Sequence, residues 1–257
     1  MLIDFHLHYL ISQENFLEDR LRLMDEAGVT YSILQGFPRL QYKGHDVADN
    51  ANILAAIRKY PDRFIGGVYI DPRDSDWKEM LDRYCGEGFR CVKMWPPIGY
   101  YPDEERFAPV YEYINERELP ILFHAGLTGL GTETSSKYAD PIRMEGLVRR
   151  YPKICFVLAH WGGYGFLHQA WSIATYHSNV YMDTAARSWG WPGVAYFNMV
   201  KALYPISFKR VVWGTDNIFP PKEDIAAYRN ILKQIEKESF AEDFFGETAK
   251  KLLRVKK

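Results

Sequence analysis

Ile3-Asp4-Phe5-His6-Leu7-His8 opens the chain with a short apolar run that ends in two histidines one residue apart. Alternate residues of a strand point to the same side, so both imidazoles face one way. Leu2 to Phe5 is the first of eight apolar runs bounded by turn residues. The others are Thr30 to Leu34, Phe64 to Ile70, Phe89 to Met94, Ile121 to Phe123, Ile154 to Ala159, Val180 to Met182 and Val211 to Gly214. Helical spacing lies between them at Glu14 to Ala27, Asp49 to Tyr60, Trp77 to Tyr84, Ala108 to Arg117, Arg143 to Tyr151 and Asp224 to Glu238. Helix-ending signals such as Ala27-Gly28, Tyr60-Pro61 and Tyr151-Pro152 precede the returning strands. Eight such units in 257 residues predict an α/β fold of the (β/α)8 TIM-barrel type. An open doubly wound sheet would use a glycine-rich phosphate turn, and neither GxGxxG nor a Walker sequence occurs. Phe240 to Val255 reads as an extra C-terminal helix that closes the barrel bottom or packs outside it. No low-complexity linker interrupts the chain, so residues 1–257 are expected to form one domain.

With 32 Lys and Arg against 33 Asp and Glu, the formal net charge is −1, which argues against a nucleic-acid partner. A hydrophobic content of 47% and a charged content of 25% exclude a disordered chain. The first residues lack the basic and apolar regions of a signal peptide, and no run reaches membrane-spanning length. Cys85, Cys91 and Cys155 have no CxxC spacing, so a reducing, cytoplasmic setting without membrane attachment is expected. Aromatics make up 16% of the chain, more than core packing needs. Phe37, Trp95, Tyr100, Tyr101, Trp161, Trp189 and Trp191 follow strand ends or sit on loops, where they could wall a pocket for a small-molecule substrate. Exposed aromatics would also suit a homodimer interface.

Two further histidines end strands: His124 in Leu122-Phe123-His124-Ala125-Gly126 and His160 in Leu158-Ala159-His160-Trp161-Gly162-Gly163. Asp216 ends the eighth in Trp213-Gly214-Thr215-Asp216. In a barrel these ends meet at one mouth, where active sites of this fold gather. Burying such polar groups unpaired costs roughly 1–3 kcal/mol each, and shared coordination of a metal would satisfy them together. Neutral imidazoles with one carboxylate suit zinc or another divalent ion such as manganese, leaving a position for water. Lys93, ending strand four in Val92-Lys93-Met94-Trp95-Pro96-Pro97, would be an ammonium paired with Asp216 or a substrate carboxylate, or a carboxylated bridge between two metals. His45, His168 and His177 lie outside this pattern and read as structural or surface residues.

In this order on these strands, the motifs resemble the amidohydrolase superfamily, and their flanking residues resemble its amidohydrolase-2 branch, which includes aminocarboxymuconate-semialdehyde decarboxylase. The likeness runs from Ile3 to the closing Thr248-Ala249-Lys250-Lys251-Leu252-Leu253. The resemblance implies that His6, His8, His124 and Asp216 hold one zinc, and that His160 orients water or polarises substrate. Binuclear relatives place a carboxylated lysine where Lys93 stands, which would mean two ions.

Hydrolysis of an ester, lactone or amide is the reading favoured by these residues, with Asp216 moving the proton and His160 and Lys93 in the catalytic set. The alternative is non-oxidative decarboxylation of an unsaturated or aromatic acid, for which Arg39 and Arg187 are candidate carboxylate anchors. The Thr128 to Asp140 loop could be a lid or a long connection.

Overall fold

Eight parallel strands follow from the eight apolar runs. In the computed structural model they are β1 (Ile3–Leu7), β2 (Tyr31–Gln35), β5 (Phe64–Tyr69), β6 (Phe89–Met94), β7 (Ile121–Phe123), β8 (Phe156–Leu158), β9 (Val180–Asp183) and β10 (Val211–Val212), hydrogen-bonded in that order. β3 (Gln41–Tyr42) and β4 (His45–Asp46) form a small antiparallel hairpin in the connection after β2. The structure describes residues 1–38, 40–42, 44–128, 130–131, 133–185, 206–217 and 220–255. Phe5 N donates to Trp213 O at 2.9 Å, which joins the first strand to the end of the last and nearly closes the barrel. The expected α/β barrel is the fold observed.

Strand parity sorts the side chains into two layers. Ile3, Phe5, Ile33, Ile65, Cys91, Leu122, Val157 and Val212 fill the inner cluster. The outer layer joins strands to Met24 of α1 (Phe16–Ala27), Ile53 of α2 (Asn50–Lys59), Leu81 of α3 (Trp77–Gly86) and Ile114 of α4 (Ala108–Arg117). It continues through Val148 of α5 (Glu145–Arg150), Trp171 of α6 (Gly163–Tyr176) and Leu232 of α7 (Pro221–Gln234). Each such side chain contributes about 1.5–3 kcal/mol by leaving water. Because the helices cover the outside and the inner cluster plugs the lower barrel, polar strand ends are left facing the upper mouth.

Several boundaries differ from the sequence reading. β1 continues to Leu7, with its register broken between Asp4 and Leu7, so His6 lies within the strand. The C-terminal stretch is a 3-10 turn (Glu238–Phe240), a π turn (Asp243–Glu247) and α8 (Thr248–Leu253) rather than one helix. Its π turn carries Gly246 against the first residue, where a Cβ would stand 1.9 Å from Met1 O. Ala249, Leu252 and Leu253 of α8 join the inner cluster, so this segment closes the barrel bottom. Among the described residues, no helix is long and apolar enough to cross a membrane.

Gly67 illustrates how tightly the upper barrel is packed. A Cβ there would lie 2.0 Å from Gln35 Oε1 and 3.0 Å from Cys91 Sγ. Gly67→Ala is therefore expected to destabilise the fold by about 1–3 kcal/mol, the usual cost of overpacking, as a fall in denaturation midpoint would register.

Candidate active site

At the mouth, hydrogen bonds fix the proton on each imidazole. His6 Nδ1 lies 2.7 Å from Asp183 Oδ2, and His8 Nδ1 lies 3.2 Å from the Gln35 carbonyl oxygen. Both acceptors require a donor, so each Nδ1 carries the proton and each Nε2 keeps its lone pair. The same logic passes through two rings on the other side. His160 Nδ1 donates to Ala185 O at 3.4 Å, so its Nε2 accepts from His124 Nδ1 at 3.2 Å. That leaves His124 Nε2 bare, buried and without a hydrogen-bond partner. Burial first, then neighbouring positive groups, hold the pKa values of His6, His8 and His124 well below the ordinary imidazole value. His160 is likewise lowered by burial to about 4, although Asp183 opposes the shift.

Three neutral imidazoles thus present unprotonated Nε2 atoms at one mouth. The Nε2 atoms of His6 and His8 are 3.2 Å apart, and two lone pairs at that distance need a cation between or beside them. Asp216 Oδ1 lies 3.5 Å from His8 Nε2 and 3.9 Å from His6 Nε2. His6, His8 and Asp216 present ligand atoms within 4.8 Å of one another. This donor set fits a divalent cation; His124, expected as a further ligand, lies outside that grouping, with its Nε2 buried and unpartnered. A second grouping of His6, His160 and Asp183 is equally close. There the Asp183 oxygens are already engaged by His6 Nδ1 and by the His160 and Ala185 amides at 2.8 and 3.0 Å, so we assign it a supporting part.

Lys93, buried at the end of β6, points Nζ at His6 Nε2 from 3.3 Å. Burial pulls its pKa down to about 8, and the Asp183 and Asp216 carboxylates resist that fall.

The sequence reading missed Asp183 and Gln35. Asp183 is the last residue of β9, one past the apolar run Val180 to Met182, and a polar residue directly after a buried run is the signal that marks it. Gln35 acts through its backbone carbonyl, which no residue type reveals; its side-chain amide donates to Phe5 O at 2.9 Å. Acceptors that orient a metal-binding imidazole through its other nitrogen typically tune metal affinity by about 10–100-fold. Asp183→Asn is expected to weaken divalent-metal binding by that factor in a competition titration with a chelating dye.

Backbone strain gathers at the same mouth. His160, Trp161, Asp216 and Asn217 all have left-handed φ, at 59°, 57°, 50° and 57°. For residues other than glycine this costs on the order of 1–3 kcal/mol each. Asp216 is held there by its N–H to His6 O at 2.8 Å, while Thr215 is tied to Asp4 through N at 3.0 Å and Oγ1 at 2.6 Å. Gly126 and Gly163 permit the loops after β7 and β8 to touch, since a Cβ on Gly163 would lie 3.0 Å from Gly126 Cα. That contact sets His124 beside His160.

Of the aromatics singled out, Phe37 packs on His8 at 4.8 Å between ring centroids and on Trp95 at 5.2 Å, while Trp95 reaches His124 at 5.5 Å. These two line the cluster. Trp161 instead stacks on Trp171, Tyr100 packs on Phe107 and Tyr101 on Tyr138. In the Thr128 to Asp140 connection, Thr128 N donates to Ser136 Oγ and Ser135 N to Pro97 O, both at 2.9 Å. His45 hydrogen-bonds Ser12, His177 approaches Glu145 at 3.6 Å, and His168 is exposed, all outside the cluster as expected. Arg39, Gly129, Arg187, Trp189 and Trp191 lie outside the described residues.

The family model described as Amidohydrolase matches residues 3–255. No curated protein matches the sequence significantly. Among solved structures, an uncharacterized TIM-barrel protein from Bordetella bronchiseptica is 18% identical, covers 98% of each chain and superposes with a TM-score of 0.77. A probable 2-pyrone-4,6-dicarboxylic acid hydrolase from Acinetobacter baumannii, solved with citric acid bound, is 14% identical over 99% of each chain, with a TM-score of 0.71. A 5-carboxyvanillate decarboxylase from Novosphingobium aromaticivorans, complexed with manganese, is 18% identical over 92% of this chain and 80% of that one, with a TM-score of 0.65. At these identities the likeness establishes the shared barrel.

Proposed function

The chain belongs to the amidohydrolase family, in its amidohydrolase-2 branch, and from that premise we propose that it is a metal-dependent hydrolase of a small-molecule ester, lactone or amide. The observation that carries this reading is the grouping of the His6 and His8 Nε2 atoms with the Asp216 carboxylate, with Lys93 Nζ against His6. His6, His8, His124 and Asp216 would hold one divalent ion, zinc by their donor chemistry, which when bound supplies Lewis acidity toward water and a carbonyl oxygen. Asp216 takes the proton of the attacking water and returns it to the leaving group. Lys93, a cation in a dry cluster, stabilises the negative charge that develops on the carbonyl oxygen. Asp183 keeps His6 in the tautomer with a free Nε2, and the Gln35 carbonyl does the same for His8. His160 holds the proton of His124 on Nδ1, and with both its ring nitrogens committed it positions His124 instead of meeting water or substrate. Phe37 and Trp95 give that space an apolar wall suited to a flat acyl group.

The same centre could protonate the carbon from which a carboxylate departs, and similarity to the 5-carboxyvanillate decarboxylase favours this as the second reading. A panel of lactones, esters and aromatic acids, assayed for acid production and for carbon dioxide, separates the two. Hydrolysis without gas supports the first; carbon dioxide from an aromatic acid, with no ester or lactone turnover, replaces it with the second.

A further inference from the structure

A second recess, about 230 Å³ in volume, lies outside the imidazole cluster, between α1 and the turns that follow β1 and β10. Leu10, Phe16, Leu23 and Pro220 give it apolar walls; Arg20 and Asn217 supply polar lining. Arg20 is only 6% exposed. Among the described residues its guanidinium has one hydrogen-bond acceptor, Asn217 Oδ1 at 3.1 Å, and its Nη1 is buried without a partner. The Asp4 carboxylate favours the Arg20 charge from beyond ion-pair distance, but its oxygens are committed to Thr215 N, Thr215 Oγ1 and His6 N. Asp19, also on the recess, is exposed and lies 3.5 Å from Arg22 Nη2.

A buried guanidinium served by a single neutral acceptor is poorly compensated, and a carboxylate is the group that compensates it best. The recess is smaller than the roughly 300 Å³ at which drug-sized sites begin, so its occupant is small. Apolar walls ask that the rest of the occupant be apolar. We infer that the recess binds a small organic carboxylate, its carboxylate on Arg20 and its apolar body against Leu10, Phe16 and Leu23. Asn217 Nδ2 donates to His8 O at 2.6 Å, so this ligand would sit one side chain away from the strand end that carries His8. The inference stands whichever reaction the imidazole centre performs.

Benzoate is the probe, titrated into the full chain by calorimetry and by saturation-transfer NMR, once loaded with zinc and once after chelation. Binding is expected in both states. Arg20→Met should weaken it roughly tenfold to hundredfold, the cost of losing charge-assisted hydrogen bonds. Gln13→Trp, a change at the exposed rim that leaves Arg20 in place, should weaken it too, and serves if Arg20→Met does not fold. No benzoate binding to the unaltered protein overturns the inference. So does binding that chelation abolishes while both variants retain it, because the probe would then sit at the imidazole centre.

Discussion

Asp216→Asn is expected to slow turnover by roughly 10²–10⁴-fold, the usual worth of a positioned general acid–base group. The substitution is conservative where it needs to be. Asparagine tolerates the left-handed conformation at φ 50°, and the backbone N–H to His6 O is unaffected. An amide oxygen also remains 3.5 Å from His8 Nε2 if the side chain keeps its place. What disappears is the capacity to accept a proton and one negative charge beside Lys93. Metal content measured alongside kcat tells the two contributions apart. Retained metal with slow turnover supports the proton-transfer role; unchanged kcat removes Asp216 from the mechanism.

The readable part of this site was whatever the strand ends displayed as residue type. His124, His160 and Asp216 each follow a buried apolar run, and a polar group in that place must be satisfied by something at the mouth. Asp183 obeys the same rule, but the apolar run Val180-Tyr181-Met182 stops one residue short of the strand's end and so does not include the acceptor that sets the His6 tautomer. Gln35 could not have been found that way, because the atom that matters to His8 is a backbone oxygen. Phe37 and Trp95 were separated from Tyr100, Tyr101 and Trp161 only by packing: all five follow strands, yet three of them turn to partners on loops or helices. Gly126 and Gly163 carry no residue-type signal of their part, because what they do is let two loops far apart in sequence touch. The barrel was the easier part, since period and turn chemistry repeat eight times, whereas the broken C-terminal helix depends on Gly246 meeting the far end of the chain.

Chelating the metal is expected to lower the midpoint of thermal unfolding by roughly 8–16 °C when the ion had been present at about 1,000 times its Kd. At that saturation a ligand specific to the folded state contributes about 4.1 kcal/mol, and each kcal/mol moves a chain of this size by roughly 2–4 °C. His8→Ala should erase most of that difference, because it removes one of two lone pairs only 3.2 Å apart. The metal-free protein has its own pH signature. Its buried imidazoles hold pKa values well below 6.5, whereas those of the unfolded chain titrate near it, so below about pH 6.5 the unfolded state binds more protons. Stability of the metal-free form is therefore expected to fall as pH drops through that value and to keep falling until the buried rings protonate. Elemental analysis completes the test: about one zinc per chain agrees with a Lys93 ammonium, while two per chain in bicarbonate would assign Lys93 to a carboxylated bridge. A protein that binds no divalent metal, with the same midpoint in chelator and in zinc, would refute the metal centre and leave the facing Nε2 atoms of His6 and His8 to be reconciled by the Lys93 ammonium alone.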